Sequence, residues 1–189
     1  MFDLPRKIAA LMRDFKSDWF IAGGWAIDLY LGEISRSHDD AEIAIFRCDQ
    51  IALQNYLNDW VLQKAENSAL LVWSRNEFLE LPVHEIHCFH ETNEPRNFEV
   101  LLNEKNADEW IYRRDERIRK PLTEIYSTAD SGIRFLRPEI VLLYKSKNPR
   151  EKDEQDCETV MKRLDAQSKK WLKNAVAVCD SKHHWLQSF

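Results

Sequence analysis

Apolar residues recur along the chain at two spacings, and the change between them separates predicted helices from predicted strands. Residues three or four positions apart are typical of a helix that buries one face, whereas short continuous apolar runs are typical of buried strands. Helices are predicted over residues 4–15, 25–31 and 49–60. Strands are predicted over residues 19–22, 41–46, 70–73, 83–89, 98–102, 124–126 and 133–135.

Pro138 marks a change in this pattern, because the chain after it has helical spacing. Proline suits the first position of a helix, where its missing N–H is not needed. Apolar residues then define three successive helices. We predict an α+β fold in which residues 1–136 form an α/β domain, a mixed sheet with flanking helices, and residues 137–189 form a C-terminal helical bundle.

Composition narrows the class of protein. The 189 residues are 44% hydrophobic and 11% aromatic, which is enough to bury a core. The net charge of -5 argues against nucleic acid as a partner, because non-specific binding to phosphates needs a basic surface. No apolar run is long enough for a signal peptide or a membrane span, which predicts a cytoplasmic protein without a membrane partner. The four cysteines are far apart, so no disulfide framework is predicted.

Gly23 and Gly24 lie between a predicted strand and a predicted helix. Glycines at such a junction let the backbone approach a bulky anionic ligand, and the first amides of the helix point towards that ligand. This arrangement suits a triphosphate. A Gly-Gly pair taken alone is more often an ordinary turn.

Asp40 and Glu42 lie two residues apart at the start of an apolar strand. Their side chains are expected on one face of the strand, roughly 7 Å apart at the backbone. Two such carboxylates repel each other unless a cation lies between them, and oxygen ligands of this kind select magnesium. The alternative is a solvated strand end. Asp39 is expected on the opposite face, towards solvent.

Glu99 is the best candidate for a third carboxylate. It is the one charged residue within Asn97-Phe98-Glu99-Val100-Leu101-Leu102, and a lone acid in an apolar strand normally has a partner. A third acid would complete a site for two metal ions roughly 4 Å apart, which activate the attacking oxygen and neutralise the leaving one.

Six short motifs extend this pattern along most of the chain. They are Gly23-Gly24-Trp25-Ala26, Arg36-x-His38-x-Asp40-x-Glu42, Phe98-Glu99, Trp110-x-x-Arg113-Arg114, Pro138-Glu139-x-x-Leu142-Leu143-x-Lys145 and Lys152-Asp153-x-x-Asp156. Together they resemble the aminoglycoside and lincosamide nucleotidyltransferases of the polymerase-β superfamily, above all the aminoglycoside 2″-adenylyltransferase-like group. The resemblance implies a polymerase-β-like nucleotidyltransferase fold.

The resemblance also implies an activity and its residues. Asp40, Glu42 and Glu99 would hold two Mg²⁺ ions, with Glu99 as third ligand or as base, while Gly23 and Gly24 would contact the triphosphate. A nucleoside monophosphate, AMP if ATP is the preferred nucleoside triphosphate, would pass to a hydroxyl group of a small molecule such as an aminoglycoside or lincosamide. Many relatives carry aspartate where this chain has Glu42, although glutamate is also familiar there.

Several basic residues are candidates for binding the nucleotide. Arg36, Lys145 and Lys152 are reasonable phosphate partners, because cations beside a polyphosphate offset its charge. His38 is a candidate contact of the phosphates or of the metal ligands. The alternative for each cation is an ordinary solvated side chain.

The acceptor is expected between the two halves of the chain. Trp73, Trp110, Glu80 and Glu85 are candidate anchors, and an acidic cleft would favour a cationic acceptor. A monomer or a homodimer is expected. The alternative function is a catalytically silent nucleotide-binding regulatory or partner protein of the same fold, against which the intact carboxylates argue.

Overall fold

We describe the fold from a computed structural model, in residues 2–38 and 40–188. Asp39, expected to face solvent, lies outside the described residues. The helices are α1 (Asp3–Leu11), α2 (Gly23–Leu31), α3 (Gln50–Tyr56), α4 (Pro138–Lys145), α5 (Glu151–Met161) and α6 (Ala166–Cys179). Short 3-10 turns span Arg47–Asp49, Leu122–Glu124 and His184–Gln187.

The strands are β1 (Trp19–Ile21), β2 (Glu42–Phe46), β3 (Val61–Glu66), β4 (Ala69–Val72), β5 (Glu85–Phe89), β6 (Asn97–Asn106), β7 (Glu109–Ile111), β8 (Arg119–Pro121), β9 (Tyr126–Thr128) and β10 (Arg134–Leu136). Eight of them lie in the order β4-β3-β5-β6-β2-β1-β10-β9, and β7 and β8 extend the far end of β6. The pairs β2–β6 and β1–β10 are parallel, and the other pairs are antiparallel. The predicted α+β fold with a mixed sheet is therefore confirmed.

The C-terminal helices pack directly on the helix that follows the glycine pair. Helix α2 contacts both α4 and α5, and α4 is buried along most of its length. One continuous apolar core runs from Ile8 in α1 to Trp185 near the C-terminus. Strand β10 ends at Leu136 and α4 begins at Pro138. The division into two domains at this point stays a prediction.

Some elements differ from the sequence prediction. Strands β3, β7 and β8 were not predicted, because β3 reads Val-Leu-Gln-Lys-Ala-Glu and the other two are three residues long. Pairing with neighbouring strands in the tertiary structure makes such weak segments into strands. Within the described residues, no helix is both long and apolar enough to cross a membrane. All four cysteines are free thiols.

Candidate active site

The two glycines of the predicted phosphate loop form the first turn of α2, directly after β1. Gly23 has a φ of 57°, in the left-handed region that favours glycine, and a Cβ atom there would overlap the Glu42 carboxylate. A Cβ atom on Gly24 would overlap the His38 ring and lie 2.6 Å from Arg36 Nη2. Both positions therefore need glycine, because functional side chains occupy the space beside them.

The three predicted carboxylates come together at one place on the sheet. Parallel pairing of β2 with β6 sets Glu42 opposite Glu99, so both side chains stand on the same face. Asp40 lies just before β2, and its backbone carbonyl accepts a hydrogen bond from Trp25 Nε1 at 3.0 Å. The spacing of Asp40 and Glu42 along the chain and the pairing of two strands thus produce the cluster.

These carboxylates also act on one another electrostatically. Burial raises the pKa of Glu42 to about 7, and the negative charges of Asp40 and Glu99 act in the same direction. Burial and the charge of Glu85 raise the pKa of Glu99, to which Asp40 also contributes. Burial and like charges therefore disfavour ionisation of Glu42 and Glu99, although Lys145 and Lys152 act in the opposite direction, and a divalent cation would relieve this cost.

A histidine and a further carboxylate lie beside Glu99 on the next strand. In β5, His87 is paired with Glu99 across the antiparallel ladder. Its Nε2 lies 2.7 Å from Glu85 Oε1 and its Nδ1 lies 3.5 Å from Glu99 Oε1. The potential ligand atoms of Glu85, His87 and Glu99 lie within 4.8 Å of one another. The acidic surface thus extends one strand beyond the predicted triad.

Two of the predicted phosphate partners are already paired with acids of α5. Arg36 donates two hydrogen bonds of 3.0 Å to Asp156. Lys145 lies 2.5 Å from an Asp153 oxygen and 3.0 Å from an Asp156 oxygen. The third partner, Lys152, has a charge that lowers the pKa of Glu99, which places Lys152 near the carboxylate cluster.

His38 is a buried part of the loop that leads to Asp40. Its side chain is 3% exposed, and its Nε2 lies 2.6 Å from Asp28 Oδ2. Burial acts to raise the pKa of Asp28, but hydrogen bonds from His38 and Ser35 outweigh it and lower that pKa. The His38 ring also packs against Trp25, with 4.5 Å between centroids. In this structure His38 therefore supports the loop through Asp28, an acid that was not predicted to belong to the site.

A cleft of about 340 Å³ lies between the sheet and the C-terminal helices. Of the three carboxylates, Glu42 lines this cleft. The residues around it include Gly23, Glu85, Arg113, Arg114 and Lys145. The cleft thus joins the glycine turn and one carboxylate to a group of cations, an arrangement suited to a metal-bound polyphosphate.

A family model described as aminoglycoside-2″-adenylyltransferase matches residues 5–119. The chain belongs to this family. The matched segment contains the glycine pair, the three carboxylates and Arg113. No curated protein matches the sequence of the chain.

Solved structures of adenylyltransferases have the same fold. The lincomycin-bound lincosamide antibiotic adenylyltransferase LnuA is 19% identical, with a TM-score of 0.58 over 84% of this chain and 94% of LnuA. ANT(2″)-Ia in complex with adenylyl-2″-tobramycin is 16% identical, with a TM-score of 0.63 over 94% of this chain and 97% of that protein. These likenesses confirm the polymerase-β-like nucleotidyltransferase fold.

The prediction that Trp73 and Trp110 anchor the acceptor is wrong for this member of the adenylyltransferase family. Trp73 is 4% exposed and Trp110 is 0% exposed, so both indoles are core residues. Each indole N–H is satisfied internally, by the Glu77 carbonyl and by Asn103 Oδ1. An aromatic residue looks the same in sequence whether it lines a site or fills a core, and here tertiary packing buries it.

The other two residues predicted to anchor the acceptor, Glu80 and Glu85, differ in whether they line the cleft. Glu85 lines the cleft, whereas Glu80 is exposed and is not among its lining residues. Sequence reasoning gave His87 no role in the active site. The alternation Glu85-x-His87 in a strand-like run was the signal that could have placed both on the face of Glu99.

Proposed function

We propose that this protein is an adenylyltransferase that moves AMP from ATP to a hydroxyl group of a small molecule. The observation that supports it most is the meeting of Asp40, Glu42 and Glu99 beside Gly23. Membership of an adenylyltransferase family supports nucleotidyl transfer as the reaction class.

The carboxylate cluster fits Mg²⁺. It offers hard oxygen ligands, and burial together with the negative charges of Asp40 and Glu99 raises the pKa of Glu42, so a bound cation would offset the cost of ionising this group. Asp40, Glu42 and Glu99 would hold the ions. Two bound Mg²⁺ ions would offset the charge that develops on the phosphoryl oxygens and on the pyrophosphate. The glutamate at position 42 suits this chain because its carboxylate fills the space beside Gly23.

The nucleotide would be held by backbone and cations together. Free amides at the start of α2, at Gly23 and Gly24, would point towards the triphosphate. Lys145 lines the cleft and Lys152 lies near Glu99, so both are in position to offset phosphate charge. Arg36 and His38 pack beside Gly24 and are tied to buried acids, so we propose that they hold the loop in place.

The reaction would be an in-line displacement at the α-phosphorus. The acceptor oxygen forms the new P–O bond, the bond between the α-phosphorus and the bridging oxygen breaks, and pyrophosphate leaves. Glu99 accepts the proton of the acceptor hydroxyl. The pairing of Glu99 opposite Glu42 puts this carboxylate beside the other acids of the site, where a general base is needed.

The acceptor would lie on the sheet beyond Glu99. Strand pairing continues the row of Glu42 and Glu99 through His87 and Gln63 to Val72. Val72 is 72% exposed and Leu70, on the same face, is 46% exposed. This surface is acidic at one end and apolar at the other. It favours an acceptor with a cationic group and an apolar part over one that is polar throughout.

The test is acceptor-dependent release of pyrophosphate. The protein is incubated with Mg²⁺, labelled ATP and a panel of hydroxyl compounds that includes lincomycin and tobramycin. We expect pyrophosphate and an adenylylated product with one acceptor class. Tight ATP binding without turnover across the panel would instead support a silent regulatory protein.

A matched pair of variants tests the metal site. Asp40→Asn should abolish turnover and leave the unfolding midpoint unchanged, because it removes an anionic ligand without creating a cavity. Asp14→Asn is the control, since Asp14 is exposed like Asp40 but lies in the turn after α1. Full activity in Asp40→Asn would contradict the proposed site.

A further inference from the structure

Two neighbouring arginines line the cleft but differ in their partners. Arg114 Nη1 donates a hydrogen bond to the Tyr144 carbonyl at 2.8 Å and another to the Tyr112 hydroxyl at 3.3 Å. Arg113 has no hydrogen bond or ion pair to any residue in the described part of the chain. Its guanidinium lies over the Tyr144 ring, 5.4 Å from the centroid. Arg114 is thus fixed by the fold, whereas the donors of Arg113 are free.

The charge of Arg113 is also poorly compensated. The side chain is partly buried, and burial lowers its pKa, with the positive charges of Arg114 and Arg47 acting in the same direction. Other partly or fully buried arginines are paired, Arg36 with Asp156 and Arg47 with Glu104. A partly desolvated cation without an acid costs free energy that a bound anion would offset.

The position of Arg113 indicates which anion this is. It lines the same cleft as Gly23, Glu42 and Lys145. The ring on which it stacks belongs to Tyr144, the residue before Lys145 in α4. Lys145 is itself held by Asp153 and Asp156, whereas the guanidinium of Arg113 meets no hydrogen-bond acceptor in the described part of the chain. Five donors in a planar fork suit phosphate oxygens.

We propose that Arg113 binds the phosphate chain of the nucleotide, in a subsite that it forms with Lys145. The inference rests on the proposed function, because it assumes a nucleoside triphosphate in this cleft. It adds a binding residue from the segment between β7 and β8, where the motif Trp110-x-x-Arg113-Arg114 carried no assigned role.

Calorimetric titration with inorganic pyrophosphate and with ATP tests the subsite on the full chain. Arg113→Gln should weaken the binding of both at least tenfold, because a charged group that meets phosphate loses its partner. Adenosine should bind as it does to the unchanged protein. Arg113→Lys should recover part of the affinity. Arg117→Gln is the matched control, since Arg117 lies in the same segment, pairs with Asp115 and is not among the residues that line the cleft.

Stability separates a binding role from a structural one. The unfolding midpoint of Arg113→Gln should equal that of the unchanged protein or exceed it, because the loss of the contact with the Tyr144 ring is offset by removal of a partly buried charge that no acid pairs with. Unaltered affinity for pyrophosphate and ATP, a lower midpoint, or a change confined to the KM of the acceptor would each overturn the proposal. If the unchanged protein binds ATP and loses that binding with Arg113, yet adenylylates nothing, the proposed function fails while the subsite stands.

Discussion

Two clusters of charged residues lie within the same fold and differ in how their charges are balanced. In the carboxylate cluster, burial and neighbouring negative charges raise the pKa values of Glu42 and Glu99, and the charges of Lys145 and Lys152 offset this only in part. In the second cluster, Asp153 and Asp156 of α5 are 2% exposed and accept hydrogen bonds from arginine and lysine. The first cluster can therefore bind cations from solution, whereas the acids of the second cluster already have cationic partners within the protein.

The difference reflects what each cluster does in the molecule. The paired network joins Arg36 before β2, Lys145 of α4 and the acids of α5, so it ties the loop that leads to Asp40 to the C-terminal helices. Burying paired charges in this way stabilises one arrangement of the cleft wall, because breaking a pair leaves an uncompensated charge. The carboxylates of Asp40, Glu42 and Glu99 would then hold metal ions in a fixed geometry.

The largest expected effect comes from Glu42→Gln. We expect turnover to fall about a thousandfold or more, equivalent to ~4 kcal/mol, because a metal ligand that offsets transition-state charge is lost. The free energy of unfolding without divalent cations should stay the same or rise, since a repelling charge is removed. Kinetics and denaturant titration measure the two. Glu116→Gln, at an exposed position outside the cleft lining, serves as the control.

Asp156→Asn should mainly lower the free energy of unfolding, whereas Glu42→Gln should mainly lower turnover. The variant leaves Arg36 and Lys145 with less compensation in a buried setting, so we expect unfolding to become easier by about 3 kcal/mol. Differential scanning calorimetry measures this loss, and Mg²⁺ should not restore it. A variant as stable as the unchanged protein would show that the network contributes little.

Acid should weaken the paired network through Asp153. Burial acts to raise the pKa of this group, but hydrogen bonds from Arg150 and Lys145 lower it to about 2, against an ordinary value of 3.8. The unfolded chain therefore binds this proton more readily, so the contribution to stability is present above about pH 4 and is lost as the pH falls towards 2.

Asp153→Asn checks this pH dependence. At pH 6 the variant should be less stable than the unchanged protein by about 2 kcal/mol, and the difference should shrink to near zero at pH 2. Denaturant titrations at several pH values measure it. Asp14→Asn, at an exposed position, should leave the acid response unchanged. A constant difference across the range would contradict the low pKa.

The smallest expected effect is that of Gly24→Ala. The helix itself would favour alanine, but the added Cβ would overlap the His38 ring, which Asp28 holds in place. We expect a net destabilisation of about 1 kcal/mol. In a His38→Ala background the same change should cost less, and a double-mutant cycle measures the coupling. Equal costs in both backgrounds would show that His38 does not limit this position.

Local sequence was enough to predict much of this protein. Apolar spacing predicted the helices after Pro138 and most strands of the central sheet. A helix or strand that buries one face has apolar residues at a regular spacing along the chain. The glycine pair and the acids at positions 40 and 42 were visible for the same reason: the chemistry depends on residues that lie close in the chain. The order of these motifs also carried the family resemblance.

Only the tertiary structure decided which distant residues meet. The parallel register of β2 and β6 sets Glu42 opposite Glu99, and antiparallel β5 adds His87. Packing of α5 gave Arg36 its carboxylate partner, whereas no carboxylate among the described residues pairs with Arg113. Pairing, burial and charge compensation depend on contacts between segments far apart in the chain. The sequence therefore determined which chemical groups were available, and the fold determined which of them remain free to bind.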